Sequence, residues 1–374
     1  MFSGTHRTVA RTWFFALVAL VVVASCGRPP ELVGVDNPSV PVNSVTTATR
    51  HKVFIATTRE SSESYGAFFS EERAPELGLA SVQVSIPPTH EIGQLERPKR
   101  LPPDPRTEFA VVDPTVYQTE TAFVNEINRE LARRPGNGRD VLFFIHGYNN
   151  TTSDAVLRLA QFVEDTDFQG VPVLFDWASA GRITRYVYDM NSALIARPKI
   201  LETAEILSRT NARGFDVFAH SMGSLLVMEA LRDQDQKGRL NQTGRLNNII
   251  LASPDVDLDL FRAQMSEIDG NFGDLFVLLS EDDGALRASR RIAGGVPRVG
   301  ASDANELAEL GVIAIDLTEI DDSTSGSHSK FAGSPEVVQL LGNGLNNTQT
   351  FDRQVRSLRL GELLDGVPIT IAIE

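Results

Sequence analysis

The sequence predicts an α/β protein, a mostly parallel sheet of eight strands with helices on both faces. Three observations carry that expectation. Short runs that are apolar throughout alternate with helical patterns, as strands buried on both faces do. The 374 residues are 42% hydrophobic and 22% charged, the composition of a folded globular chain. A serine also stands where an apolar run gives way to a helical one, in "DVFAHSMGSLLVMEAL" (216–231).

The elements follow in order. Residues 1–25 carry Arg7 and Arg11 and no acid, then twelve largely apolar residues from Trp13 to Ala24. That run is too short for a helix to cross a hydrocarbon core of about 30 Å and reads as a signal-peptide core. It ends in "VASC", which resembles the bacterial lipobox cleaved before its cysteine. Cys26, the only cysteine of the chain, is then the expected acylated N-terminus, so no disulfide is possible within the chain. The expected location is the extracytoplasmic side of a bacterial membrane. Residues 26–50, rich in Pro, Asn, Ser and Thr, read as a flexible tether that reaches at most about 80 Å.

The globular domain is expected over 51–345. "KVFIATT" and "LASVQVSIP" form a first strand pair, and the proline-rich stretch 96–114 is expected to cross the surface without regular structure. The strand "DVLFFIHG" (140–147), a helix over 153–165 and the strand "VPVLFDWA" (171–178) come next. A helix over 190–209 then leads to "FDVFAHS" (215–221), and another starts at Met222. "NNIILASP" (247–254), a helix near 259–268, "DLFVLLS" (274–280), a helix from Gly284, "GVIAIDLT" (311–318) and a helix over 335–341 complete the alternation. The extension 346–374 contains the run "VPITIAI" and has no functional reading. In such sheets ligands bind at the carboxyl ends of the strands.

Charge and motifs narrow the function. A net charge of −14, about −16 once residues 1–25 are removed, argues against nucleic acid as a partner and against loose electrostatic binding to anionic lipid. No H-E-x-x-H, cysteine cluster or Walker motif is present, so neither a metal nor a nucleotide cofactor is expected.

"AHSMG" has the small residues that a strand–nucleophile–helix turn requires, with Ala219 in place of the first glycine of G-x-S-x-G. A serine nucleophile needs a histidine base and an orienting carboxylate, following in that fold in the order Ser, acid, His. Of six histidines, only His328 lies beyond Ser221, in the polar loop "STSGSHSKF" after the last strand. The acid is expected from Glu281, Asp282 and Asp283 after the penultimate strand, with Asp255, Asp257 and Asp259 as a competing loop. Oxyanion donors are expected in the amides of Met222, next to the nucleophile, and Tyr148, in "FFIHGYNN". His146 reads as structural.

Together "IHGYNN", "FDWASAG", "AHSMGS", "LASPDVD", "DDGALRASRRIAGGVPRVG" and "HSKF" resemble a bacterial family of α/β-hydrolases of unknown function. The likeness spans roughly 52–345 and includes "VFIATTRE" and "VSIPPTHEIGQLERP"; Ala178 replaces a residue that is usually proline there. The resemblance implies the α/β-hydrolase fold and a Ser–Asp–His triad of Ser221, Asp283 and His328, with Asp282 as the alternative acid. The expected activity is hydrolysis of small-molecule carboxylic esters by a membrane-anchored serine hydrolase. Two alternatives are an acyltransferase using the same triad and a non-catalytic binding or scaffolding lipoprotein on a hydrolase fold.

Overall fold

The computed structural model describes residues 28–270, 273–322, 326–346 and 370–373. The expected signal peptide, Cys26 and most of the C-terminal extension lie outside the described residues.

Chain order begins with β1 (Thr49–Ser61), β2 (Phe69–Ile86), β3 (Ala110–Val116) and α1 (Glu120–Arg133). It continues with β4 (Val141–Ile145), α2 (Thr152–Asp165), β5 (Val171–Asp176), α3 (Tyr186–Ser208), β6 (Phe215–His220) and α4 (Gly223–Gln236). Next come β7 (Leu246–Ala252), α5 (Leu258–Ser266), β8 (Asp274–Leu279), α6 (Gly284–Ile292), α7 (Ala304–Ala308) and β9 (Ile313–Asp316). The short α8 (Lys330–Gly333), then α9 (Pro335–Asn346) and β10 (Thr370–Ala372), close the chain.

The strands form one sheet in the order β10-β9-β8-β7-β6-β4-β5-β1-β2-β3. From β9 to β1 every neighbouring pair is parallel; β2, β3 and β10 add antiparallel edges. Alternate residues of β4 enter two separate apolar clusters, Val141, Phe143 and Ile145 on one face and Leu142 and Phe144 on the other. A strand buried on both faces has no polar positions, which is why these runs are apolar throughout. The chain runs from β4 outward to β5 and returns across it to β6, so the connections leave β4 in opposite directions. The crevice at such a switch point is where ligands bind in open α/β sheets.

Three expectations need correction, and one run without an expectation joins the sheet. Among the described residues the sheet has ten strands rather than eight. The stretch 96–114, expected to be irregular, contributes the start of β3: Ala110–Val116 pairs with β2 at the sheet's edge, where the missing N–H of Pro114 interrupts no ladder. The run "VPITIAI" supplies β10, paired antiparallel with β9. Finally, residues 28–48 are not a free tether: Leu32, Val33, Val35 and Val42 are buried against the domain. Helix α1, to which no segment was assigned, buries Phe123, Val124, Ile127 and Leu131 along one stripe and is capped by Thr119, whose side chain accepts from the Ala122 amide.

Candidate active site

The turn between β6 and α4 sets the site. Ser221 adopts φ = +53°, a left-handed conformation unfavourable for a side-chain-bearing residue. Backbone bonds hold it there. Its amide donates to the Ala252 carbonyl at 2.9 Å, and its carbonyl accepts from the amides of Ser224 at 3.0 Å and Asp255 at 3.2 Å. Two glycines make room. A Cβ on Gly223 would lie 2.6 Å from the His146 carbonyl oxygen, and one on Gly147 would lie 2.8 Å from Ser221 Cβ. Ala219, fully buried in β6, shows that one methyl is accommodated on the strand side. The result presents Ser221 Oγ at the N-terminus of α4, where the unpaired amides favour negative charge.

His328 meets the serine from the loop before α8. Its Nε2 is 3.1 Å from Ser221 Oγ, and its Nδ1 is 2.7 Å from Asp283 Oδ2. Because a carboxylate accepts, Nδ1 carries the proton and Nε2 presents a lone pair to the serine hydroxyl. Asp283 is fully buried and caps α6, its Oδ1 accepting from the Leu286 amide at 2.9 Å.

The neighbouring acids do other work. Asp282 turns away from the imidazole and accepts from Ser327 Oγ at 2.7 Å and Lys330 Nζ at 3.0 Å. Lys330, itself buried, also donates to the carbonyls of Leu317 at 2.8 Å and Thr318 at 3.1 Å, which fastens the histidine loop to the end of β9. Burial raises the Asp282 carboxyl, and the hydrogen bonds from Ser280, Ser327 and Lys330 outweigh it, leaving the acid below its ordinary range. Glu281 is exposed, its amide donating to Thr318 Oγ1. In the competing loop, Asp255 accepts from Tyr186 and Ser289 and faces Arg298, while Asp257 caps α5.

The second donor loop, Gly147–Asn150, is braced from below. The buried Arg59 guanidinium lies 2.8 Å from Asp176 and donates to the carbonyls of Ser179 at 2.7 Å and Asn150 at 2.9 Å. Burial alone would raise the Asp176 carboxyl; Arg59, His146 and Thr152 overcome it and hold its pKa at about 2. Buried Asp189 on α3 accepts from the amides of Asn149 at 3.1 Å and Ala180 at 2.7 Å. The His146 ring stacks on Trp177, and its carbonyl accepts from the indole N–H at 2.7 Å, a supporting role. Among the described residues, neither the Tyr148 nor the Met222 amide donates to a protein acceptor. The Tyr148 hydroxyl, pushed up to about 12 by burial and by Asp189 and Asp255, stays protonated and donates to the Ile183 carbonyl.

Sequence reasoning named Ser221, Asp283, His328, Tyr148 and Met222; the structure joins the first three by hydrogen bonds, with Met222 next to Ser221 and Tyr148 next to Gly147, which packs on Ser221. It missed the supports: His220, Lys330, Arg59 and Asp189. The half-buried ring of His220 donates from Nε2 to the His328 carbonyl at 3.0 Å and packs on Phe331. Burial, then the neighbouring His328, hold its pKa well below 6.5, so it remains a neutral donor. The one available signal was "AHS" itself, a histidine next to the nucleophile at the end of an apolar strand. Among the described residues no group of three or more His, Cys, Asp or Glu side chains is placed to hold a metal ion.

Comparison with known proteins bears on the family and the fold. Residues 119–344 match the family described as alpha/beta hydrolase of unknown function (DUF900). The chain belongs to that family. It has the α/β-hydrolase fold, and the family match supports a hydrolase. Among solved structures it is similar to a CIB-like hydrolase from Thermoplasma acidophilum, at 14% identity over 57% of this chain and 89% of that one, TM-score 0.33. It is also similar to an esterase from Pyrobaculum calidifontis, at 11% identity over 72% and 81% of the two chains, TM-score 0.35. No curated protein matches it.

Proposed function

We propose that this hydrolase cleaves carboxylic esters through an acyl-enzyme on Ser221. The observation that carries the reading is the His328 imidazole, 2.7 Å from a buried carboxylate and 3.1 Å from a serine held at positive φ. Ser221 Oγ attacks the acyl carbonyl carbon while His328 Nε2 takes the hydroxyl proton. Asp283 holds the Nδ1 tautomer and stabilises the imidazolium. The carbonyl oxygen, now anionic, sits between the Met222 and Tyr148 amides, and its charge is further offset by the N-terminus of α4. Collapse of this intermediate breaks the ester C–O bond, and His328 returns the proton to the departing alkoxide. A water, deprotonated by the same Nε2, then attacks the acyl carbon; the bond to Ser221 Oγ breaks, His328 returns the proton to Oγ, and the carboxylic acid leaves.

Turnover of p-nitrophenyl esters of graded chain length tests this reading. Ser221→Ala and His328→Ala each reduce kcat by roughly 10⁴–10⁶-fold. Full activity in Ser221→Ala would remove the mechanism.

The sequence also supports export and lipidation of Cys26, since the basic start, the short apolar core and "VASC" occur in the order a lipoprotein signal requires. Metabolic labelling with an alkynyl fatty acid tests it: the label enters the parent and is lost in Cys26→Ser. A labelled Cys26→Ser chain would refute that site.

A further inference from the structure

Asp255 takes no part in the Ser221–His328–Asp283 chain of hydrogen bonds, yet it is bonded to the nucleophile turn. Strand β7 is followed by Ser253 at φ = +45°, and two residues on the Asp255 amide donates to the Ser221 carbonyl at 3.2 Å. The buried carboxylate of Asp255 reaches two other elements. Its Oδ1 accepts from Ser289 Oγ on α6, the helix whose N-cap is Asp283, the acid that meets His328. Its Oδ2 accepts at 3.0 Å from the hydroxyl of Tyr186, the first residue of α3.

Tyr186 carries the connection on to the loop Gly147–Asn150. Its ring meets the Tyr148 ring edge-on, with centroids 5.3 Å apart. The Tyr148 hydroxyl donates to the Ile183 carbonyl, three residues before Tyr186. Tyr148 is thus fastened at two points to the segment 183–186, and the Tyr186 hydroxyl fastens that segment to Asp255. Burial and the neighbouring Asp255 raise the Tyr186 hydroxyl well above its ordinary range, so it stays protonated and donates.

The carboxylate is itself held in place. The Arg298 guanidinium, also buried, lies 3.3 Å from Asp255 Oδ1. The chain around Arg298 runs along the acid loop. The Leu258 amide donates to the Pro297 carbonyl at 3.0 Å, Val299 to Val256 at 3.0 Å and Gly300 to Pro254 at 2.9 Å. A Cβ on Gly300 would lie 2.6 Å from the Pro254 nitrogen, so the two stretches touch backbone to backbone. Replacing buried charged groups by apolar side chains of similar volume is often neutral or stabilising, so stability alone does not call for a carboxylate here. What a carboxylate supplies is two acceptors in fixed directions, one toward α6 and one toward α3.

We propose that Asp255 is a positioning residue that sets the spacing of three parts of the site: the Ser221 turn, the helix that begins at Asp283, and the loop that carries the Tyr148 amide. Tyr186 and Ser289 act through it. The proposal rests on the ester-hydrolase reading and adds to it the group that keeps nucleophile, acid and oxyanion donor in register. An amide that meets the oxyanion does so only in the transition state, so loosening this register lowers kcat and leaves KM nearly unchanged.

The test compares Tyr186→Phe and Ser289→Ala, which each remove one hydroxyl and keep the Asp255–Arg298 pair, with Asp255→Ala. For each, kcat and KM toward p-nitrophenyl acetate are measured per serine titrated with a fluorophosphonate, and urea unfolding is followed on the same preparation. Tyr186→Phe and Ser289→Ala each lower kcat about 10-fold and Asp255→Ala about 10²-fold, the scale of misplacements up to about 1 Å. KM stays within about twofold of the parent. Adding Tyr186→Phe to Asp255→Ala lowers kcat no further, because the hydroxyl acts through the carboxylate. Parent-like kcat per titrated serine in Tyr186→Phe and Ser289→Ala overturns the proposal, even if both unfold at lower urea, since the network then serves stability alone. So does full multiplication of the two losses in the double variant. If Asp255→Ala does not fold, the two hydroxyl variants decide by the same criterion. An active parent with undiminished variants removes this proposal alone. A parent that neither turns over esters nor reacts with the fluorophosphonate removes the hydrolase reading and this proposal with it.

Discussion

Ser221 and His328 arrive at the same crevice from regions built by different means. The serine is held by backbone: a positive φ, three main-chain hydrogen bonds, and two glycines that let β4 and β6 approach it. The histidine stands on an irregular loop, held by side chains: Asp283 on its ring, His220 on its carbonyl, and Lys330 with Asp282 at its base. The first has its steric demands in one short stretch, 219–224, with Gly147, Ala252 and Asp255 supplying backbone around it. The second is assembled from three separate stretches of chain, so each support acts at a distance in sequence. Loss of a backbone device should therefore cost stability, and loss of a side-chain strut should cost rate.

The largest effect expected from breaking that division lies at the ring itself. Asp283→Asn keeps the shape but disturbs the tautomer of His328, and kcat falls by about 10⁴-fold in ester turnover. Asp282→Asn removes the partner of buried Lys330 and lets the loop shift; kcat falls by about 10²-fold, the cost of a misplacement near 1 Å. If Asp282→Asn were the more damaging of the two, the assignment of orienter and strut would be reversed. Gly223→Ala acts on the other region. Its Cβ meets backbone rather than a flexible side chain, so the native state is destabilised by roughly 1–3 kcal/mol in urea unfolding.

The smallest effect is one of pH. Asp216, fully buried in the strand that carries Ser221, is pushed up to about 7 by burial, and the hydrogen bond from Asn248 only partly offsets this. Its folded pKa lies above the unfolded value near 3.9, so the folded state binds the extra proton. Its contribution is complete below about pH 4 and is lost as the pH rises through about 7. Asp216→Asn should therefore unfold at a higher temperature than the parent above pH 7, with the gap closing toward pH 4. A gap independent of pH would show that the carboxyl does not titrate in the folded state.

The same division explains what the sequence could reveal. Strands β4 to β8 were legible because burial on both faces leaves no polar positions in them. The nucleophile turn was legible because its steric demands fall within five residues. Asp282 and Asp283 are adjacent and chemically alike; only their directions relative to α6 separate them, and that direction is a property of the cap at Asp283. Strand β3 was obscured by the prolines around it, which an edge position tolerates. Helix α1 carries Phe123, Ile127 and Leu131 at helical spacing, but its polar remainder and the prolines before it mask the stripe. Residues 28–48 read as a tether because Pro, Asn and Thr dominate them, whereas the few apolar side chains, Leu32, Val35 and Val42, decide that they pack. The buried Arg59–Asp176 pair joins positions 117 residues apart, and neither carries a local mark of the other.

The most direct measurement of the central claim is reaction of the purified protein with a fluorophosphonate probe, the adduct being located by peptide mass spectrometry. The account predicts one adduct, on Ser221, absent in Ser221→Ala and strongly slowed in His328→Ala. A folded parent that fails to react, or an adduct on another serine that persists in Ser221→Ala, would contradict it.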